Sequence, residues 1–313
     1  MSLAIRFLGT SASRPTVERN VSSIALIREG ETILFDCGEG TQRQMMRYGI
    51  TFALDDIFFT HLHADHILGV IGLCRTMALQ GRTDAMRLYG PRGCEKVLRR
   101  ALALGNDREE FPVTISECVP GEPLKRGAYS IVPFAVQHAG PSLGYALIED
   151  DRLGRFNPDR ARELGVPEGR MWGELHRGRA VQLEDGRTVT PEDLVGPPRP
   201  GRRIVITGDC LPSASTVEMA HGADLLVHEA TFGEEESARA AETGHSTAKQ
   251  AAEVASRAGV RQLALTHLSA RYSREAVELE REARAVFPAT VVARDGMTIE
   301  IAFRDAADDP RPG

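Results

Sequence analysis

His61-Leu62-His63-Ala64-Asp65-His66 is the stretch that decides how this chain is read. It follows an apolar run, 57–60, whose Ile and Phe residues predict a strand. In an extended turn side chains alternate, so His61 and His63 point to one side. Asp65 and His66 open a helix and turn toward a second position, so one short run feeds two adjacent metal ions. Imidazole nitrogen and carboxylate oxygen suit Zn2+. Mn2+ and Fe2+ remain compatible, because imidazole selects weakly among these ions. A lone histidine on an apolar face is usually a satisfied core residue. Three histidines and an aspartate at this spacing are not, because burying them uncompensated costs several kcal/mol.

Working outward, the remaining candidates each close an apolar strand: His138, Asp209 and His267. Polar ligands just past strand ends are where α/β folds build active sites. The two sets expected are His61, His63, His138 and Asp209 for one ion, and Asp65, His66, Asp209 and His267 for the other. Asp209 bridges them. Two such ions make a shared water nucleophilic near neutral pH and clamp both oxygens of an in-line displacement.

The strands expected are 24–27, 32–35, 57–60, 130–136, 145–149, 203–207, 225–228, 262–266, 290–293 and 297–302. Helices are expected at 41–48, 67–80, 93–105, 214–221, 247–258 and 273–287, with Ser246 and Ser273 as N-caps of the last two. The halves echo each other loosely: one apolar strand ends in Phe35-Asp36-Cys37-Gly38, another in Thr207-Gly208-Asp209-Cys210. The reading is an α/β fold, one domain over 1–304.

The segment 152–203 breaks the alternation. It is rich in Gly, Pro and Arg, with 11 arginines against 8 acids in a chain whose net charge is −6. A loop this long inside a compact domain is often functional, and 152–200 is read as a flexible arm. Arginine suits phosphate through its planar fork, whereas the acidic chain as a whole is no general nucleic-acid binder. The tail 305–313 is expected to be disordered. Five cysteines without a Cys-x-x-Cys argue for reduced thiols. The N-terminus has no cleavable signal pattern, and no apolar stretch would span a bilayer. The expected compartment is the cytoplasm, with no membrane partner.

The His-x-His-x-Asp-His run resembles the mark of the metallo-β-lactamase fold family, whose fold is a four-layer αββα sandwich of two similar halves. Phe35 to Gln42, His228-Glu229-Ala230-Thr231, Gly244-His245-Ser246-Thr247 and Pro15-Thr16-Val17-Glu18-Arg19-Asn20 resemble motifs of its tRNA 3′-processing endonucleases, the ribonuclease Z family. The stretch 165–208 resembles that family's exosite arm. Val17 stands where the loop motif carries lysine, so the loop lacks that cation. The arm also carries less lysine than the resemblance implies, leaving phosphate contacts to arginines.

The resemblance implies a homodimeric endonuclease with two Zn2+ per subunit. It cuts precursor tRNA after the discriminator nucleotide, leaving a 3′-hydroxyl on the tRNA and releasing the trailer. It implies Asp65 as the group that orients the water and takes its proton. His245, oriented by Glu229, is implied as the general acid. Arg19, Asn20, Arg170, Arg177 and Arg179 are the implied substrate contacts. Asp36 and His228 read better as supports for ligand imidazoles than as ligands.

Three rivals remain open on the residues alone. One is another hydrolase of this scaffold, acting on a thioester, lactone, sulfate ester or small phosphodiester. Another is a di-iron redox protein, disfavoured because that variant usually carries Glu where His63 stands. The third is a non-catalytic tRNA-binding subunit, disfavoured because no ligand is missing.

Overall fold

The computed structural model describes residues 2–105 and 111–304. The tail 305–313, expected to be disordered, lies outside the described residues. The described chain divides into two compact units. Among the described residues, the larger lies within 2–148 and 203–302, and the smaller comprises Glu149–Arg202 with Phe303 and Arg304.

In the larger unit the first sheet is built from β1 (Leu3–Gly9), β2 (Ser23–Arg28), β3 (Glu31–Phe35), β4 (Asp56–Phe58), β5 (Met86–Gly90), β6 (Val113–Glu117) and the late strand β16 (Thr298–Glu300). Its order is β16-β1-β2-β3-β4-β5-β6, with β3 to β6 mutually parallel. The second sheet uses β7 (Leu124–Arg126), β8 (Tyr129–Ala135), β9 (Leu143–Glu149), β12 (Arg203–Ile206), β13 (Leu225–Glu229), β14 (Leu263–Thr266) and β15 (Thr290–Val292). Its order is β15-β14-β13-β12-β9-β8-β7, with β12 to β15 parallel. Each sheet therefore carries a parallel block of four strands, which is the structural form of the echo between the halves.

The period-2 alternation of strand side chains sorts residues into layers. Ile33 and Phe35 of β3, Phe58 of β4, Leu225 and Val227 of β13 and Ala264 of β14 face into one core between the sheets. Leu34 and Ile57 turn the other way, with residues of α1 (Thr41–Arg47), α3 (Gly69–Leu79) and α4 (Cys94–Leu102). Leu226, Leu263 and Leu265 do the same on the second sheet, with residues of α9 (Ala248–Ala258) and α10 (Val277–Val286). The result is the expected αββα sandwich. Tyr145 on β9 joins the two sheets. Its ring lies 5.3 Å from that of Phe58, and its hydroxyl donates to the Phe59 carbonyl at 2.8 Å. An aromatic pair of this kind adds about 0.5–1.5 kcal/mol beyond the area it buries. Here it also fixes the strand that delivers His61.

Several boundaries differ from expectation. Strands β1, β5, β6 and β7 were not anticipated. The expected helix 67–80 starts after the short turn α2 (Ala64–Ile67). Thr247, not Ser246, caps α9, in a reciprocal capping box with Gln250. Ser246 instead donates to the Cys210 carbonyl at 2.6 Å. Ser273 does not cap α10, which begins four residues later, after Ala276. All five cysteines are free thiols.

The smaller unit is regular where an arm without regular structure was expected. It holds α5 (Pro158–Glu163), α6 (Arg170–His176) and a hairpin of β10 (Val181–Gln182) and β11 (Thr188–Val189). Asn157 caps α5 by accepting from the Arg160 amide, with Pro158 at the first helical position. Ala161, Val166, Leu175, Val181, Leu183, Val189 and Leu194 form a small core of its own. Between α7 (Ala214–Met219) and α9, the helix α8 (Ser237–Thr243) was also unexpected. No helix among the described residues is long and apolar enough to cross a membrane.

Candidate metal centre and proton donor

The candidate ligands sit at the ends of strands from both sheets. His61 follows β4, His138 follows β8, Asp209 follows β12 and His267 follows β14. Because β12, β13 and β14 are parallel and adjacent, their C-terminal ends share one edge. Gly208 lets the halves meet. It has φ +63°, and a Cβ there would lie 2.6 Å from the Thr60 Cβ. Any side chain would push Asp209 away from the His61 turn.

One oxygen, Asp209 Oδ2, lies at the middle. It is 3.6 Å from His61 Nε2, 3.4 Å from His66 Nε2, 3.3 Å from His267 Nε2 and 4.0 Å from His138 Nε2. On one side of it His63 Nδ1 stands 3.0 Å from His61 Nε2 and 3.4 Å from His138 Nε2. On the other, Asp65 Oδ2 stands 3.6 Å from His66 Nε2 and 3.5 Å from His267 Nε2. The groups His61, His63, His138, Asp209 and Asp65, His66, His267 are each compact enough for one cation. The first has the members expected for one ion, the second lacks the expected Asp209, and a third such group joins Asp209 and His267 with His245. His63 is exposed and marks the open side of the cluster, whereas His61, His66, Asp209 and His267 are buried.

The donor set fits a metal. His66 Nδ1 donates to Asp36 at 2.7 Å and His138 Nδ1 donates to the Gly244 carbonyl at 2.8 Å. His61 Nδ1 and His267 Nδ1 each lie 3.0 Å from a threonine hydroxyl, of Thr60 and Thr231. With their outer nitrogens so engaged, the inner nitrogens direct lone pairs at one another, 3.3 Å apart for His66 and His267. Asp209 Oδ1 is buried with no hydrogen-bond partner. Buried lone pairs and an orphaned carboxylate oxygen are costly unless a cation lies among them. Burial, then the neighbouring His66, holds His61 down to about 2, which keeps it neutral and able to ligate. Burial alone would raise Asp209, but the imidazoles around it, His267 before His66 and His61, outweigh that and hold its carboxyl well below the usual range.

Asp36 is a support, as expected. At φ +58° it accepts from His66 Nδ1 and from the Thr60 amide and hydroxyl. Loss of such a partner typically weakens metal binding about 10–100-fold. Asp36→Ala is expected to fall in that range, measured by competition with a chromophoric chelator. A change under about twofold would show that His66 needs no support. His228 differs from expectation: its ring contacts the Glu229 carbonyl at 2.7 Å and Cys210 Sγ at 3.8 Å, and holds no ligand imidazole.

His245 lies beside the cluster, its Nδ1 2.8 Å from Glu229 Oε1 and 4.0 Å from Asp209 Oδ2. Glu229 is fully buried and also accepts from the Cys210 amide and from the Thr231 amide and hydroxyl. Burial disfavours the imidazolium, but the Glu229 hydrogen bond and charge outweigh it and raise His245 to about 8. With Nδ1 held, Nε2 is the atom left to donate a proton.

The expected substrate contacts divide. Arg19 is a correction: it is 4% exposed, and its guanidinium is spent on Thr10 Oγ1 at 2.7 Å, the Ala293 carbonyl at 2.7 Å and the Ser273 carbonyl at 3.1 Å. It builds its loop and does not reach outward. Asn20 is half-buried, with Nδ2 donating to the Glu39 carbonyl at 2.8 Å. Arg170, Arg177 and Arg179 are exposed in the smaller unit, the last two paired with Glu174 at 2.8 and 2.5 Å. Exposed pairs of this kind are weak, because solvent screens them, so a phosphate can displace Glu174 from them.

The sequence reading missed Thr60 and Thr231, which link His61 to Asp36 and His267 to Glu229. It also missed the Ser13 amide, which donates to Asp65 Oδ2 at 2.7 Å. Threonines directly before or near a ligand at a strand end were the available signal for the first two. A backbone donor leaves none.

Comparison with known proteins places the chain in a family. The family model of the beta-lactamase superfamily domain matches residues 31–193. A ribonuclease Z of Gemmatimonas aurantiaca is 61% identical over 99% of this chain and 100% of its own length. One of Myxococcus xanthus is 52% identical over 97% of this chain and 99% of its own. The crystal structure of the short form of human tRNase Z aligns with a TM-score of 0.70 at 28% identity, covering 96% of this chain and 100% of that one. With near full-length identity on this scale, the chain belongs to the ribonuclease Z family, on the metallo-β-lactamase fold.

Proposed function

We propose that this protein hydrolyses the phosphodiester after the discriminator nucleotide of precursor tRNA, releasing the 3′ trailer and leaving a 3′-hydroxyl on the tRNA. The observation that carries the chemistry is the convergence of seven candidate ligand side chains, with Asp209 Oδ2 at their middle and His245 and its Glu229 partner alongside. Kinship with ribonuclease Z proteins supports the substrate.

The ligand sets fit two cations, with Zn2+ the ion best suited to five imidazoles and two carboxylates. When bound, such a pair lowers the pKa of water and offsets charge on the phosphate oxygens. Asp65, whose Oδ2 is fixed by the Ser13 amide, takes the proton of the attacking water. The bond from phosphorus to the 3′ oxygen of the discriminator breaks. His245 Nε2 gives its proton to that oxygen, and the phosphate leaves on the trailer. The buried Glu229 keeps Nδ1 protonated and the ring aligned.

In this reading the smaller unit is the arm that grips tRNA by its phosphates and 2′-hydroxyls, since A-form RNA hides its base edges in a deep groove. Its exposed Arg170, Arg177 and Arg179 are the contacts proposed. A homodimer, with one subunit's arm serving the other's site, and a cytoplasmic location belong to the same proposal.

The test is a precursor tRNA carrying a 3′ trailer, incubated with metal-loaded protein and mapped at the cut. Cleavage directly after the discriminator nucleotide is expected. Hydrolysis of small phosphodiesters with the precursor left intact would sink the tRNA reading. Deleting 155–194, which removes the arm's core but leaves the Arg152–Arg199 bridge, should weaken precursor binding by ~10-fold or more, as lost phosphate contacts do. Hydrolysis of bis(p-nitrophenyl) phosphate should survive. Equal loss of both would mean that the unit is no separate binding arm.

A further inference from the structure

We infer that Asp295 is a positioning residue for the Asp65–His66–His267 cation site, acting through the backbone of loop 10–20. The inference rests on the two-cation reading above. Asp295 stands just before β16, and nothing in its sequence setting marks it. Its carboxylate nevertheless fastens both ends of that loop. Thr10 Oγ1 donates to Oδ1 at 2.8 Å, and the Asn20 amide donates to Oδ2 at 2.6 Å. Gln44 Nε2, from α1, donates to the same Oδ2 at 2.8 Å. The buried Arg19 supports the loop from within, donating to Thr10 Oγ1 and to the Ala293 carbonyl.

The loop so held reaches the cation site at two points. The Ser13 amide donates to Asp65 Oδ2, the oxygen that faces His66 and His267. Ser13 does this at φ +60°, a conformation an L-residue adopts only when its surroundings impose it. Beside it, the Ala12 amide donates to the Leu268 carbonyl at 2.9 Å, and the Leu268 amide donates to the Thr10 carbonyl at 2.9 Å. Leu268 directly follows His267, itself at φ +56°. The loop thus splints the two ligands of this site that come from opposite halves of the chain. Among the described hydrogen bonds, none joins the loop to His61, His63 or His138. Removing Asp295 should therefore loosen one cation and spare the other.

All three partners of Asp295 present donors, so a carboxylate suits the position. An asparagine would set its own N–H groups against at least one of them, and gives a graded second variant. The experiment is zinc titration of the metal-stripped, full-length chain by competition with a chromophoric chelator. Far-ultraviolet circular dichroism checks that each variant is folded. Wild type should bind two ions. Asp295→Ala should keep one at wild-type affinity and weaken the other about 10–100-fold, the range seen when a ligand loses its supporting partner. Asp295→Asn should weaken the same ion less. In a His63→Ala background, where the first site is impaired, Asp295→Ala should weaken the remaining ion by the same factor. If Asp295→Ala does not fold, Asp295→Asn is judged alone by the same split. Wild type binding two ions, with a folded variant that weakens both equally or neither, overturns the inference alone. Wild type binding fewer than two overturns the two-cation reading and the inference with it.

Discussion

Replacing Asp209 with alanine is expected to cost more than any other single change: cleavage of precursor tRNA should fall by well over the ~10–100-fold that loss of a ligand's supporting partner brings. The reason is geometric. One oxygen, Oδ2, lies within 4.0 Å of ring nitrogens from both ligand groups, so its removal strips a ligand from each cation at once. What remains is a set of imidazoles whose lone pairs converge with no anion among them. Metal content by mass spectrometry should fall with activity, and excess Zn2+ should restore little of either. Asp209→Asn keeps the shape but not the charge, and should retain less metal than wild type and more than Asp209→Ala. Full metal content with unchanged turnover in Asp209→Ala would remove Asp209 from the centre of the account.

His245→Ala is expected to have the second-largest effect, and of a different kind. A positioned general acid contributes about 10²–10⁴-fold, so kcat on precursor tRNA should fall within that range. Metal binding should fall little, because His245, though close enough to share a cation with Asp209 and His267, is not one of the seven proposed ligands. The sharper readout is the leaving group. The 3′ oxygen of a nucleotide leaves poorly without a proton, whereas p-nitrophenolate leaves well without one. Hydrolysis of bis(p-nitrophenyl) phosphate by His245→Ala should therefore be spared relative to tRNA cleavage. Glu229→Gln should show the same selectivity in weaker form, since Gln can still contact Nδ1 but does not stabilise the imidazolium. Equal loss on both substrates would assign His245 to the metal cluster and not to the proton.

Much of the site was legible because its chemistry is concentrated. His61, His63, Asp65 and His66 share one turn, and His138, Asp209 and His267 each stand just past an apolar strand. The parallel order of β12, β13 and β14 then brings the later ligands to one edge. Arg19 misled because an arginine in a loop motif reads as a phosphate contact, whereas its burial depends on distant partners, Ala293 and Ser273. Ser13 and Asp295 were invisible for related reasons. One acts through a backbone amide, and the other gathers donors from two separate segments, loop 10–20 and α1.

The fold shows the same division. Strands buried on both faces, which read as short apolar runs, were found. Strand β5, with Arg87 as its second residue, and β6, where exposed residues interrupt the pattern, carry weaker apolar patterns. In the smaller unit the core residues stand singly among charges, from Ala161 to Leu194, so no periodic run announces α5, α6 or the hairpin. Helix starts were misplaced by one to four residues where a neighbouring serine imitated the cap.

The most direct measurement is an anomalous difference map, at the zinc absorption edge, from crystals of the zinc-loaded protein. Two peaks are predicted, one among His61, His63 and His138 and one among Asp65, His66 and His267, with Asp209 between them. A single peak, or peaks away from Asp209, would contradict the account.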